Sequence, residues 1–226
     1  IAALQPDGVI LTPPHSENPK ITGFLAARKI PFARIGSDEP GPGIAMTMDD
    51  EGSARLATDH LIVLGHQRIG FIGGSEEYSL SDWRLHGWQQ AMLAAGVTTD
   101  ALFAQGDFSY ESGTVAAKEL LSLTDRPTAI IACNDQMALA VLDVATAQGL
   151  TIPDDLSLIS FDNSSVVRFT EPQLTAVDQP ISATFSKAVE LLITAGHNAA
   201  SQQPVVVKGS LVERGSTAPL ATHARG

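Results

Sequence analysis

Arg84, Phe108, Asn134 and Asp162 have the side-chain chemistry that holds small polyhydroxylated molecules. Arginine donates paired hydrogen bonds, amide and carboxylate bracket hydroxyl groups, and an aromatic ring stacks on a C–H face. The four share a context, because each follows a short apolar run, Arg84 at the end of the 74–84 loop and the others at once. So do Thr12 with Pro13, Ser37 with Asp38, Ser79 in the loop before Arg84, Asp107, Asp135 and Asn163. Each also has a reading that needs no ligand. Asp162 could brace the turn that follows it. Asn134 is placed to cap a helix, and Phe108 could fill the core. Arg84 falls near the start of a helix, where the macrodipole disfavours a cation, and that favours a functional reason for it.

Catalytic signatures are missing. The sequence holds no G-x-S-x-G elbow, phosphate-binding P-loop or H-E-x-x-H, and GPGIAM (41–46) begins like a dinucleotide loop but lacks the third glycine. His60 and His66 lack metal-ligand spacing, and His66 in LGHQRI is expected to bond locally at a helix-to-strand turn. The single cysteine, Cys133, allows no internal disulfide and no paired-cysteine site. No metal, cofactor or enzymatic reaction is implied.

The elements that must position these residues can be read from periodicity. The runs at 7–13, 30–36, 68–74, 101–107, 128–134 and 156–162 are mostly unbroken apolar stretches, as in strands covered on both faces. Helical patterns fill 18–28, 50–64, 81–95, 110–123, 135–148 and 180–195. Alternation of this kind means α/β architecture with doubly wound parallel sheets and right-handed crossovers, and ligands of such sheets sit beyond the carboxyl ends of the strands. Asp49 and Ser81 are candidate helix caps. Ile181, Phe185, Val189 and Leu192 form the expected inward stripe of the last helix. Helix 135–148 has apolar residues round much of its circumference, so it is either central in the core or faces a second subunit. The final stretch, 217–226, reads as a loose tail.

With 226 residues, 44% of them hydrophobic, the chain can bury roughly 70–75% of its extended surface without disulfides. Fourteen Lys plus Arg against 25 Asp plus Glu give a net charge of -11, which opposes contact with nucleic-acid phosphates. No apolar run is long enough to span a membrane. The sequence opens at Ile1 on what looks like the tail of a helix, so preceding β and α elements are expected.

The segments LATDHLIVLGHQRIGFIGG (56–74), RLHGWQQAMLAAG (84–96), AIIACNDQMALAVLDVATAQGLTIPDDLSLISFDN (129–163), PQLTAVDQP (172–180) and SLVERGST (210–217) resemble the effector-binding core of LacI/GalR-type transcriptional repressors. The resemblance runs from about residue 5 to 217. It implies a periplasmic-binding-protein-like type I fold whose two lobes are joined by three crossover strands. Residues 1–48 plus 179–206 would form a first, truncated lobe, and 49–178 plus 207–216 the second. It also implies an absent N-terminal helix-turn-helix, through which alone the protein would meet operator DNA.

The matches carry effector binding onto Arg84, Asn134 and Asp162, ring stacking onto Phe108, and ligand contact from a crossover onto Gln179. Ser37, which follows a first-lobe strand, is carried over as a further ligand contact. Leu139 and Leu142, with Val166, Val167 and Phe169, would pack across the two-fold axis of a homodimer, which moves the reading of helix 135–148 toward an interface. The expectation is thus a cytoplasmic regulator sensing a small ligand, most simply a sugar. The alternative is a periplasmic sugar-binding protein of an uptake system.

Overall fold

The computed structural model describes residues 6–37, 40–195 and 203–220. The chain runs through β1 (Val9–Leu11), α1 (Pro19–Ala27), β2 (Phe32–Ile35), β3 (Ile44–Met48), α2 (Asp50–Val63), β4 (Ile69–Ile72), α3 (Ser79–Ala94) and β5 (Phe103–Ala104). It continues through α4 (Tyr110–Leu121), β6 (Ala129–Ala132), α5 (Asp135–Ala147), β7 (Ser157–Asp162), β8 (Thr175–Asp178), α6 (Ile181–Ala195), β9 (Val205–Val207) and β10 (Ser210–Val212). It divides after Asp49, Gln179 and Lys208 into two compact units, so it passes between them three times.

The first unit is a parallel sheet in the order β1-β2-β3-β9, with α6 packed on β2 and β3. Ala33, Ile35, Ile44 and Met46 meet Ala188 and Leu192 of α6. The inward stripe of α6 differs from the expected one. Thr184, Ala188 and Leu192 are buried, whereas Ile181 and Val189 are exposed, because the face that meets the short strands is narrower than the apolar pattern suggests.

The second unit is a six-stranded sheet in the order β10-β8-β7-β6-β4-β5, parallel except for the antiparallel edge strand β10. β4 and β6 are buried along their whole length, which accounts for their unbroken apolar runs. Outward steps from β4 to β5 and return steps from β5 to β7 place α3 on one face and α4 and α5 on the other. α2 packs on α3, and α4 on α5. β4 and β6 are neighbours whose following connections leave in opposite directions. Their carboxyl ends form a topological switch point, where such sheets open a crevice.

Ser81 does not cap α3. The helix begins earlier, at Ser79, and the Ser81 hydroxyl donates to the Ser75 carbonyl oxygen at 2.7 Å. His66 bonds locally only through its backbone, whose N–H donates to the Leu61 carbonyl oxygen at 3.0 Å, and its ring reaches further. Its Nδ1 lies 2.9 Å from Thr128 Oγ1, and its Nε2 lies 3.1 Å from both Ser157 Oγ and the Ala218 carbonyl oxygen. A carbonyl only accepts, so Nε2 carries the proton and Nδ1 accepts from Thr128. The same contacts hold residues that the sequence assigns to a loose tail. The Ala218 N–H donates to Ser157 Oγ, and the Leu220 N–H donates to the Leu64 carbonyl oxygen. Residues 221–226 lie outside the described residues.

Burial holds the His66 imidazole below its usual pKa, against the opposing hydrogen bond to Ala218. The unfolded chain therefore takes up this proton more readily, and the stability His66 supplies at neutral pH is lost as pH falls through about 6.5. His66→Ala is expected to destabilise the chain by about 1–3 kcal/mol at pH 7.5. In urea denaturation the gap from the unaltered chain should narrow between pH 7.5 and 5.5. A gap independent of pH would show that the ring's charge state is immaterial.

Candidate functional site

Arg84 rises from the second turn of α3 into the interior and is 4% exposed. Its Nε donates to Asp50 Oδ1 at 2.7 Å, its Nη1 donates to the Cys133 carbonyl oxygen at 2.6 Å, and its guanidinium lies 4.5 Å from the Phe161 ring centroid. Asp50, 3% exposed, belongs to the first turn of α2, where the helix dipole favours a carboxylate. The two helices approach this closely because residue 87 is glycine. A Cβ there would stand 2.2 Å from the Glu51 carbonyl oxygen. Burial opposes the charge on Arg84, but the Asp50 carboxylate, with help from Asp162, overrides it and raises the guanidinium pKa above its usual value. Gln179, which ends the segment after β8, donates from Nε2 to the same Asp50 Oδ1 at 3.4 Å, while its Oε1 has no partner among the described residues.

At the end of β6, Asn134 has two bonds. Its Oδ1 accepts from the Met137 N–H at 2.9 Å and caps α5, while its Nδ2 donates to the Phe108 carbonyl oxygen at 2.8 Å. The side chain thus caps α5 as expected and also ties the end of β6 to the backbone of Phe108. Phe108, half-buried, packs on the core and meets Tyr78 edge-on at 6.0 Å. Its ring occupies the space over Gly74, where a Cβ would lie 2.0 Å from the ring. Phe108 (φ 73°) and Asp162 (φ 90°) both hold left-handed backbone conformations, a strain that non-glycine residues adopt where the surroundings impose it.

Asp162 ends β7 beside two further acids. Burial pushes its carboxyl up to about 6, opposed by the charge of Arg84 and reinforced by those of Asp135 and Asp50. Asp135 accepts the Ser164 N–H at 2.7 Å through Oδ2, and its buried Oδ1 has no partner among the described residues. Asn163 bridges Asp178 and Arg214. Cys133 is buried, its thiol pushed up to about 12 by that burial, so it is not a reactive nucleophile. Among the described residues no cluster of His, Cys, Asp and Glu is arranged to hold a metal, and no helix is long and apolar enough to cross a membrane.

Five of the six expected ligand residues, Arg84, Phe108, Asn134, Asp162 and Gln179, thus lie in the second unit: Arg84 and Gln179 meet on Asp50, Asn134 bonds the Phe108 backbone, and the charge of Asp162 acts on Arg84. Ser37 lies in the first unit, buried, with its Oγ accepting from Arg34 Nη1 at 2.8 Å. Asp38 lies outside the described residues. The apolar runs of the sequence do not point to Asp50, because they do not show β3. GPGIAM begins like a dinucleotide loop, yet the IAMTM that follows its glycines is strand β3, and Asp50 is a strand-end residue like the others.

Residues 58–217 match the periplasmic binding protein-like domain family. The solved structure of a regulatory protein of LacI family from Chloroflexus aggregans superposes with a TM-score of 0.86 at 31% identity, covering 96% of this chain and 78% of that one. This chain belongs to the LacI family. Among relatives in that family, the transcriptional regulator DegA of Bacillus subtilis is 37% identical over 224 residues, 96% of this chain and 65% of its own length. The transcriptional regulator CelR of Thermobifida fusca is 34% identical over 197 residues, 85% of this chain and 58% of its own length. A CelR–cellobiose complex superposes with a TM-score of 0.82 at 31% identity, covering 95% of this chain and 68% of that one. The chain therefore spans about three fifths of the length of these two relatives.

The residues that the LacI resemblance assigns to a two-fold interface differ in their exposure. Val167 is fully buried, because the short 3-10 turn Ser165–Arg168 points it into the core and Leu174 donates to its carbonyl oxygen. It is thus unavailable to a partner, which corrects the expectation. Phe169 is 86% exposed, and Leu139 and Leu142 are half-buried. Much of the apolar circumference of α5 is covered within the chain by α4 and β7, and Gln136, Asp143 and Thr146 face outward.

The raised pKa of Asp162 has a stability consequence. The folded chain binds this proton more tightly than the unfolded one, so an ionised Asp162 is a net cost above about pH 6. Asp162→Asn is expected to stabilise the ligand-free chain by about 1–3 kcal/mol at pH 7.5, raising Tm, with the gain fading toward pH 4. A variant that melts lower than the unaltered chain at pH 7.5 would show that the ionised carboxylate is instead stabilising.

Proposed function

We propose that this chain is the effector-binding and dimerisation core of a cytoplasmic transcriptional repressor, and that its effector is a neutral polyhydroxylated molecule, most simply a sugar. One observation carries the reading. At the strand ends the buried Arg84 is held by Asp50 and the Cys133 carbonyl oxygen, and two further buried acceptors, Gln179 Oε1 after β8 and Asp135 Oδ1 after β6, have no donor among the described residues. Buried acceptors without donors are costly, and a molecule rich in hydroxyl groups supplies the donors. Arg84 would donate to a ring or hydroxyl oxygen, Asp162 and Asn134 would take hydroxyl groups, and Phe108 would cover a C–H face. Relatives point the same way, since CelR has been solved with cellobiose and a LacI-family regulator from Enterococcus faecium, 26% identical, with ribose.

The chain would act by binding and not by turnover. Contact with operator DNA would belong to the part of the relatives' length that this chain does not span, consistent with its net charge of -11. Ligand would shift the balance between two states by its differential affinity for them. Homodimers would form through Phe169, Leu139 and Leu142, and Phe169→Lys should lower the dimer fraction in sedimentation. Equal fractions would exclude this face.

Calorimetric titration with cellobiose, ribose and a wider panel of neutral sugars tests the function. Phe108→Ala should weaken the binding found by about 10–100-fold. Because ligand hydroxyls favour the ionised Asp162, affinity should also fall as pH drops below about 6. Binding unaffected by both changes would place the ligand elsewhere.

A further inference from the structure

We propose that Asp50 is a positioning residue that ties the ligand site to a crossover of the chain, by holding Arg84 and Gln179 on a single carboxylate oxygen. Asp50 is the first residue after the chain's first passage between units, and Gln179 is the last residue before the second. These two boundary residues are hydrogen-bonded to each other in the interior, at 3.4 Å, through the oxygen that also takes Arg84 Nε at 2.7 Å.

The arrangement has an unequal and therefore adjustable geometry. Arg84 holds the shared oxygen closely and Gln179 holds it at the limit of hydrogen-bond reach. Any change that draws the guanidinium toward a bound molecule leaves that oxygen more available to the Gln179 amide. A change at the crossover that pulls Gln179 away leaves it wholly to Arg84. Gln179 is 6% exposed and its Oε1 is unpartnered, so the amide has no competing bond among the described residues to hold it still. Ligand engagement and the crossover backbone are thus joined through one atom. Asp50 itself need not touch the ligand.

The coupling rests on the reading of Arg84 as a ligand residue, but it can be measured without ligand. Hydrogen exchange in the ligand-free full chain, followed by mass spectrometry, should show Arg84→Met raising exchange across residues 176–183 by at least about five-fold while β4 and β6 change by less than about two-fold. Asp50→Asn should produce the same local increase, and adding Arg84→Met to it should give none further. Gln179→Met leaves the ion pair intact and should shift the NMR resonance of the Arg84 Nε–H, because both residues donate to one oxygen. Exchange that rises equally in β4 and β6 would mean that the pair only stabilises the unit. That result, or an Arg84 resonance unmoved by Gln179→Met, would overturn the proposal. Absence of sugar binding by the unaltered chain would instead count against the function proposed above, so the two failures are distinguishable.

Discussion

A guanidinium and a carboxylate buried side by side are the constraint around which the second unit is organised. Taking Arg84 and Asp50 out of water costs several kcal/mol each, and their mutual attraction offsets this only in close, hydrogen-bonded geometry. That requirement reaches outward. Glycine at position 87 lets α3 approach the start of α2, and the positive end of α2 favours the Asp50 charge. The Cys133 carbonyl oxygen at the end of β6 takes another guanidinium proton. Removing either partner would strand the other charge in the interior, at about 3–5 kcal/mol. A hydrophobic pair would fill the same space more simply, so the charge itself points to a use.

That use lies in the imbalance around it. Asp50 and Asp162 act on the buried Arg84, Asp135 acts on Asp162 in turn, and Asp135 Oδ1 is left without a donor among the described residues. The raised pKa of Asp162 and the left-handed backbone at Phe108 and Asp162 are costs borne at the strand ends and not in the core. Such costs are expected where a surface is shaped for something other than its own stability. A crowd of carboxylates repels anions and welcomes hydroxyl donors, so a neutral sugar would fit the proposed site better than a phosphorylated one.

Much of this was legible in the sequence because parallel sheets impose a simple rule: strands buried on both faces read as apolar runs, and ligand-facing residues follow them. Phe108, Asn134 and Asp162 follow that rule directly, and Arg84 lies at the end of the loop that leaves β4. The failures have physical causes as well. β3 was hidden by the glycines before it, and with it Asp50. His66 bonds residues 62, 91 and 152 positions away, which no local pattern can show. Val167 and Phe169 are both apolar and lie two residues apart. A 3-10 turn sends one into the core and the other to the surface, a choice made by tertiary packing.

The central claim is that this site selects neutral polyhydroxylated molecules through acceptors gathered round Arg84. A thermal-shift panel of sugars and nucleosides, each paired with its phosphorylated counterpart, tests it most directly, because a ligand that binds the folded chain raises its Tm. A rise is expected with at least one neutral member and a smaller rise, or none, with its phosphate. Stabilisation by the phosphorylated members alone would contradict it.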